Sequence, residues 1–430
     1  MSAGGCIAGG SIWVGAMDLG EDAPVAAVSG EPRADHLQAR VLVRIHGAPI
    51  GYVSVPLRPA ETLAGRTRTI AETALAGPLR RHLHGDGVAA GAAGPPEWAA
   101  SVTCPRYFPA PDGTGISVVV CTRDRAALLR ECLRALQRVT YAPLEIVVVD
   151  SAPSGDATRQ IVAELSRDDA RIRYACEPSP GASRARNHGL ALAKFDLVAF
   201  TDDDVVVDPG WPAALAAGFA ADPEAVCVTG LVASRSLDTG EERYFDSRYS
   251  WGEVLEPRRY DLAVHRDGSR LYPFIAGIFG TAANLAVRRG AVGRLGGFDP
   301  LLGVGALCRG GEDLDLFLRV ILAGGRICYL PSALAWHRHR ADSAALAKQI
   351  YAYGYGLGAY LAKRLMRGEM PAGMLVRGLG RSAVIAGRMR HASHVSELGT
   401  RGRRLAVSEA WGVLAGARCY YRAARQTRGQ

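Results

Sequence analysis

The sequence predicts a doubly wound α/β core, preceded by a small accessory domain and followed by a basic helical region. Three observations carry that expectation. From Ile116 onward, short apolar runs alternate with segments of helical spacing. The apolar runs have no polar face, as strands of a parallel sheet covered on both sides do not. Polar residues then collect where successive runs end. With 430 residues the chain can bury two or three cores, and we divide it into 1–110, 115–345 and 346–430.

In chain order, residues 39–54 alternate apolar and polar around an HGAP turn and read as a hairpin. An Ala- and Leu-rich stretch near 66–84 reads as helix, and a Gly/Pro-dense linker runs from His84 to Gly115. The core opens with the strand ISVVVC, the helix DRAALLRECLRALQ and the strand LEIVVVD. It continues with the helix DATRQIVAELSR, the strand RIRYAC, the helix GASRARNHGLALAK and the strand DLVAFT. Asp208 is expected to cap the helix that follows, with Pro209 in its first turn. The amphipathic helix EDLDLFLRVILAGG and the short strand RICYLP lead into LAWHRHR. Near the C-terminus, Gly354, Gly356 and Gly358 either weaken a helix or let a neighbour approach closely.

Composition narrows the classes. Nine cysteines without a CxxC pair point to reduced thiols in a cytoplasmic protein rather than disulfides or a zinc ribbon. No secretory leader is read at the N-terminus, and no apolar window reaches the ~20 residues a membrane span needs. The net charge of +9 is uneven: Leu361 to Gln430 holds 14 Lys and Arg against three Glu. That region is a candidate for peripheral contact with an anionic membrane surface. It lacks interleaved aromatics and any nucleic-acid motif, so nucleic-acid binding is not expected.

The chemistry-bearing signal is AFTDDDVVVD. Asp202, Asp203 and Asp204 end an apolar run, and crowded carboxylates call for a cation. Carboxylates at a strand end, in the crevice where such folds bind ligands, suit magnesium or manganese held jointly with phosphates. Thr122 and Arg123 end the first strand and Asp150 the second, so three strands deliver polar groups to one rim. Glu312 and Asp313 open a helix, where the dipole favours acids, but a general base also needs such a carboxylate. His337 and His339 fall on one side of an extended segment; His337 is the favoured metal ligand and His339 the spare.

SVVVCTRDR, EIVVVDSAPS, GASRARNHGLA, FTDDDV, GTAANLAVRR, GGFDPLLG and GGEDLDLFLR resemble, in order, the blocks of family 2 glycosyltransferases with the GT-A fold. The resemblance covers about Ile116 to Arg340. It implies that Cys121, Thr122 and Arg123 lie against the nucleotide base and that Asp150 accepts from the base imide, favouring a uridine diphosphate sugar. It implies nucleotide contacts from Arg184, Arg186, Asn187, Asp202 and Asp203. Asp202 and Asp204 match the pair that holds Mn2+ or Mg2+, with His337 standing where some members carry a histidine ligand. Asp313 matches the base that activates an acceptor hydroxyl in a single inverting displacement, Glu312 an acceptor-holding residue, and Asn284 part of the sugar wall.

Two other classes of protein could use crowded carboxylates on such a sheet. A nucleotidyltransferase on a similar sheet would carry a Gly-rich phosphate loop after the first strand, and CTRDRAALL has none. A non-catalytic carbohydrate-binding protein would not need Asp202, Asp204 and Asp313 together.

Overall fold

The computed structural model describes residues 10–21, 23–57, 61–86, 113–249, 251–269, 271–274, 277–371, 373 and 399–428. The linker read from composition lies largely outside them. The N-terminal part forms β1 (Ser11–Asp18), β2 (Ala26–Ala27), β3 (His36–Ile45) and β4 (Ala48–Pro56), then α1 (Leu63–Ala74) and α2 (Ala76–Gly85). The expected hairpin is β3–β4, closed by His46 and Gly47 with φ of 52° and 76°. Two positive φ values make this the primed turn whose twist suits a two-residue hairpin. The single helix expected over 66–84 is two helices meeting at Leu75. Pro78, which has no backbone N–H, sits in the first turn of the second and favours a fresh start there.

The four strands lie in the order β2-β1-β3-β4, with β1 parallel to β3. Period-two alternation sends Val41, Val43 and Val53 toward Ala71, Leu79 and Leu83 of the two helices. It sends Val14, Ala16 and Leu42 the other way, against Leu231, Leu334 and Trp336 of the larger sheet. Arg44 reaches Asp208 at 2.7 Å and His36 reaches Asp238 at 2.7 Å across the same boundary. Each fully buried valine or leucine here contributes about 1.5–3 kcal/mol, so the small sheet is anchored chiefly by apolar burial.

The central part supplies β5 (Ile116–Thr122), α3 (Ala126–Gln137), β6 (Leu144–Ser151), α4 (Ala157–Leu165), β7 (Ile172–Glu177), α5 (Ala182–Leu192) and β8 (Leu197–Asp202). These are the strands and helices read from the sequence, and β7, β6, β5 and β8 run parallel in that order. Val118 and Val120 enter the core on one face, Val119 that on the other. Next come β9 (Val205–Val207), α6 (Trp211–Ala221), β10 (Ala225–Ser234), α7 (Gly240–Tyr249), β11 (Arg258–Tyr260), β12 (Asn284–Arg288), α8 (Arg289–Arg294), α9 (Glu312–Leu322) and β13 (Arg326–His337). β12 runs antiparallel between β8 and β10, so the sheet is mixed α/β, flanked by helices.

Two local expectations are corrected. α6 begins at Trp211 with Gly210 as its cap; Asp208 instead accepts from the Gly210 N–H and pairs with Arg44. RICYLP is not a complete strand but the first half of β13, whose register against β10 jumps from Leu330 to Leu334. Pro331, unable to donate, falls in that bulge.

Two long helices finish the chain: α10 (Ser343–Met366), capped by Asp342, and α11 (Gly399–Arg428). Of the two meanings open for the α10 glycines, close approach is the one realised. A Cβ on Gly354 would collide with the Glu409 carbonyl, and one on Gly358 with that of Val413. Gly356 turns toward Gly310 and Gly311, the pair that opens α9. Among the described residues no helix is long and apolar enough to cross a membrane.

Candidate active site

The strand order reverses at β5, with β6 and β7 on one side and β8 on the other, so a crevice opens at the carboxyl ends of these strands. Register sets the rim: Thr122 stands beside Asp150 and Cys121 beside Asp202. The Asp150 Oδ2 accepts from the Tyr174 hydroxyl at 3.1 Å, while its buried Oδ1 has no partner. Burial pushes this carboxyl upward, against the hydrogen bond from Tyr174 and the influence of the nearby Thr158 hydroxyl. Burial also pushes the Cys121 thiol up to about 12, which leaves it an inert wall rather than a nucleophile. Arg123 is exposed beside Asp124, and Arg184 is exposed on α5.

The three aspartates have three environments. Asp202 is the most open, its side chain one-third exposed, and accepts from Arg186 at 3.0 Å. Asp203 is buried, accepts from Thr122 at 2.7 Å and from Arg125 at 2.5 Å, and therefore faces the scaffold. Burial drives it up to about 7 despite that arginine. Asp204 is opposed by burial, yet His337, Arg125 and Arg340 together hold it below the ordinary carboxylate range. Its Oδ2 takes Arg125 at 2.6 Å, and its Oδ1 lies 3.5 Å from His337 Nε2.

Behind His337 stands His339, with the two Nδ1 atoms 3.1 Å apart. His339 Nε2 meets the Ser234 hydroxyl at 2.7 Å, and its ring lies against Phe245. Burial, then the neighbouring His337, holds His339 well below the usual imidazole value. It is therefore a neutral backing group that orients His337, while His337 Nε2 points at Asp204. A carboxylate oxygen and an imidazole nitrogen converging this way, with Asp202 nearby, fit the donor set of a manganese or magnesium site.

On the far side of the cleft, Gly311 with φ 81° turns the chain into α9. Glu312 accepts from Arg186 at 2.6 Å, so one buried guanidinium bridges Asp202 and Glu312. Asp313 is half-buried; its carboxylate accepts from Leu314 N–H at 2.8 Å and from Ala282 N–H at 3.3 Å. Burial and the adjacent Glu312 charge raise it to about 6. Asp315 is committed elsewhere, to Arg319, Lys363 and Arg364, and so ties α9 to α10.

Two of the expected contact residues spend their side-chain hydrogen bonds within the fold. Asn284 is fully buried; its Oδ1 accepts from Trp211 and its amide donates to the carbonyls of Leu231 and Ala333. Asn187 exchanges two hydrogen bonds with the Phe298 backbone and pins the loop before α9. Conversely, Arg125, Arg340 and Trp251, whose ring meets that of His337 at 6.1 Å, join the site without having been singled out. Arg125 and Arg340 fall inside or beside quoted blocks, but their targets depend on folding.

A mixed sheet with acidic groups at its carboxyl rim is the arrangement that the GT-A resemblance predicts. Residues 117–282 match the Glycosyl transferase family 2 model. It is 29% identical over 309 residues to the pre-mycofactocin glycosyltransferase of Mycobacterium tuberculosis, covering 71% of this chain and 58% of that protein. It therefore spans little more than half the length of that relative. Over 151 residues it is 35% identical to the validoxylamine A glucosyltransferase of Streptomyces hygroscopicus subsp. limoneus, 32% of this chain and 33% of that one. It is also similar to a mannosyltransferase of Pyrobaculum calidifontis solved with GDP-Man and Mn2+. That likeness has a TM-score of 0.45 and 18% identity, over 71% of this chain and 86% of that one.

Proposed function

We propose that the chain transfers a sugar from a nucleotide-diphosphate donor, a uridine nucleotide by preference, to a hydroxyl acceptor with inversion at the anomeric carbon. One observation carries this reading. A carboxylate raised to about 6, Asp313, stands across the cleft from a carboxylate–imidazole pair, with Arg186 joining the two sides. The partnerless Oδ1 of Asp150 supports a uracil donor, since it can accept the imide N–H of that base.

Asp204, Asp202 and His337 would hold Mn2+ or Mg2+, which when bound supplies Lewis-acid stabilisation of a departing diphosphate. The chain's own groups do the rest. Arg186 and the exposed Arg184 offer charge-assisted donors to phosphate oxygens. The Asp313 carboxylate accepts the proton of the acceptor hydroxyl as its oxygen bonds to the anomeric carbon and the bond to the diphosphate breaks. Gly311 and the Ala282 N–H hold that carboxylate in place.

The outward face of α11 supports peripheral membrane contact. Val407, Trp411, Leu414 and Tyr421 are exposed there, among the exposed Arg403, Arg404, Arg418, Arg422 and Arg425. The decisive experiment is a thermal-shift screen of nucleotide sugars with and without manganese, followed by product analysis with the best donor. Manganese-dependent stabilisation by a uridine diphosphate sugar, and an inverted product, are expected. A donor requirement without manganese dependence, or a retained configuration, refutes the reading.

A further inference from the structure

The small N-terminal sheet carries a second convergence of metal-type donors, on elements separate from the catalytic rim. His46 Nδ1 and His82 Nε2 both stand against one oxygen, Oδ2 of Asp86, at 2.9 and 3.0 Å. The three ligand atoms lie within 4.8 Å of one another. His82 and Asp86 are spaced i,i+4 at the end of α2 and their side chains are almost fully buried, whereas the His46 side chain is 12% exposed.

The placement of Asp86 is a costly one for a merely hydrogen-bonded trio. Asp86 caps the C-terminal end of α2, where helix carbonyls carry partial negative charge and disfavour a carboxylate. Burial adds to that cost, so the position calls for positive charge. His46 occupies the left-handed first position of the β3–β4 turn, which fixes its imidazole at the hairpin tip. Asp18 presets that turn by accepting from His46 N–H at 3.1 Å, Gly47 N–H at 2.6 Å and Gly20 N–H at 2.9 Å. A rigid turn thus delivers an imidazole to a buried His–Asp pair from another element.

We propose that His46, His82 and Asp86 bind a borderline divalent ion of the zinc class, clamping the hairpin tip to the end of α2. Two imidazoles and one carboxylate match zinc's preferred donors, and the 12% exposure of His46 leaves a side open to water. On binding, each imidazole turns a lone pair inward and keeps its N–H on the other ring nitrogen, so no proton is left between ligands.

The test is zinc titration of the full chain against a chromophoric chelator, in an Asp204→Ala background that removes the rim site. One zinc equivalent is expected, and it is lost on adding His46→Gly, which keeps a left-handed turn, or Asp86→Asn. Circular dichroism checks that these variants fold. X-ray absorption of the zinc complex needs no further variant and should read two imidazoles per zinc. No uptake, uptake that survives either substitution, or fewer than two imidazoles overturns the proposal. None of these outcomes bears on sugar transfer.

Discussion

At residues 202–204 carboxylates meet guanidinium groups: Arg125 forks across Asp203 and Asp204 and Arg340 adds to Asp204, while the His337 imidazole closes in from the side. At 312–313 the supply is smaller. Arg186 serves Glu312 directly, and Asp313 keeps only backbone donors. The first cluster holds Asp204 below the ordinary carboxylate range; the second lets Asp313 rise to about 6. One residue type is thereby given two proposed duties, a permanently charged ligand and a proton acceptor, by what surrounds it.

The largest test of that contrast is Asp313→Asn. It should lower transfer by on the order of 10²–10⁴-fold, while calorimetry finds nucleotide binding unchanged. The same variant sharpens the pH argument. A raised carboxyl accepts protons only when ionised, so wild-type kcat/KM should fall about tenfold per unit as pH drops below about 6 and level off above it. The residual rate of the variant should lack that inflection; a shared profile would remove Asp313 from the role.

Asp204→Ala comes next. Manganese-dependent nucleotide affinity should weaken by more than about tenfold, with metal-independent binding little altered. Arg186→Lys probes the link between the clusters. An ammonium cannot span Asp202 and Glu312 as a guanidinium does, so kcat/KM should drop roughly tenfold while the fold survives. Equal rates would mean that the two clusters act independently.

The smallest expected effect comes from Gly356→Ala. Its Cβ would sit 2.7 Å from the Gly310 carbonyl carbon and 2.9 Å from the Gly311 nitrogen. Overpacking of this kind costs about 1–3 kcal/mol, so the melting temperature should fall, and kcat should fall more than nucleotide affinity. A loss confined to stability would separate α10 from the base.

The parallel strands and the acidic rim were legible in the sequence because each strand is apolar on both faces and its polar terminus is local. β1 was not recognised, and its packing explains why. Trp13 and Met17 enter the N-terminal core while Val14 and Ala16 face the larger sheet, so SIWVGAMD shows no polar alternation. The roles of Asn187 and Asn284 were hidden for another reason. Both sit in blocks that suggest ligand contact, yet their amides are consumed by backbone and indole partners that only the tertiary fold supplies. The groups facing Asp204 come from residues 125, 337 and 340, a separation that no local pattern reveals.

The contact between Gly356 and the Gly310–Gly311 bend carries a practical consequence for dissection of the chain. Residues 117–282, the span that matches the family model, stop short of Asp313 and of the helix that backs it. A protein shortened to the end of β13 would retain the strands proposed to read a nucleotide while its proposed proton acceptor lost the surface it leans on. Donor recognition and turnover should thus part company with chain length.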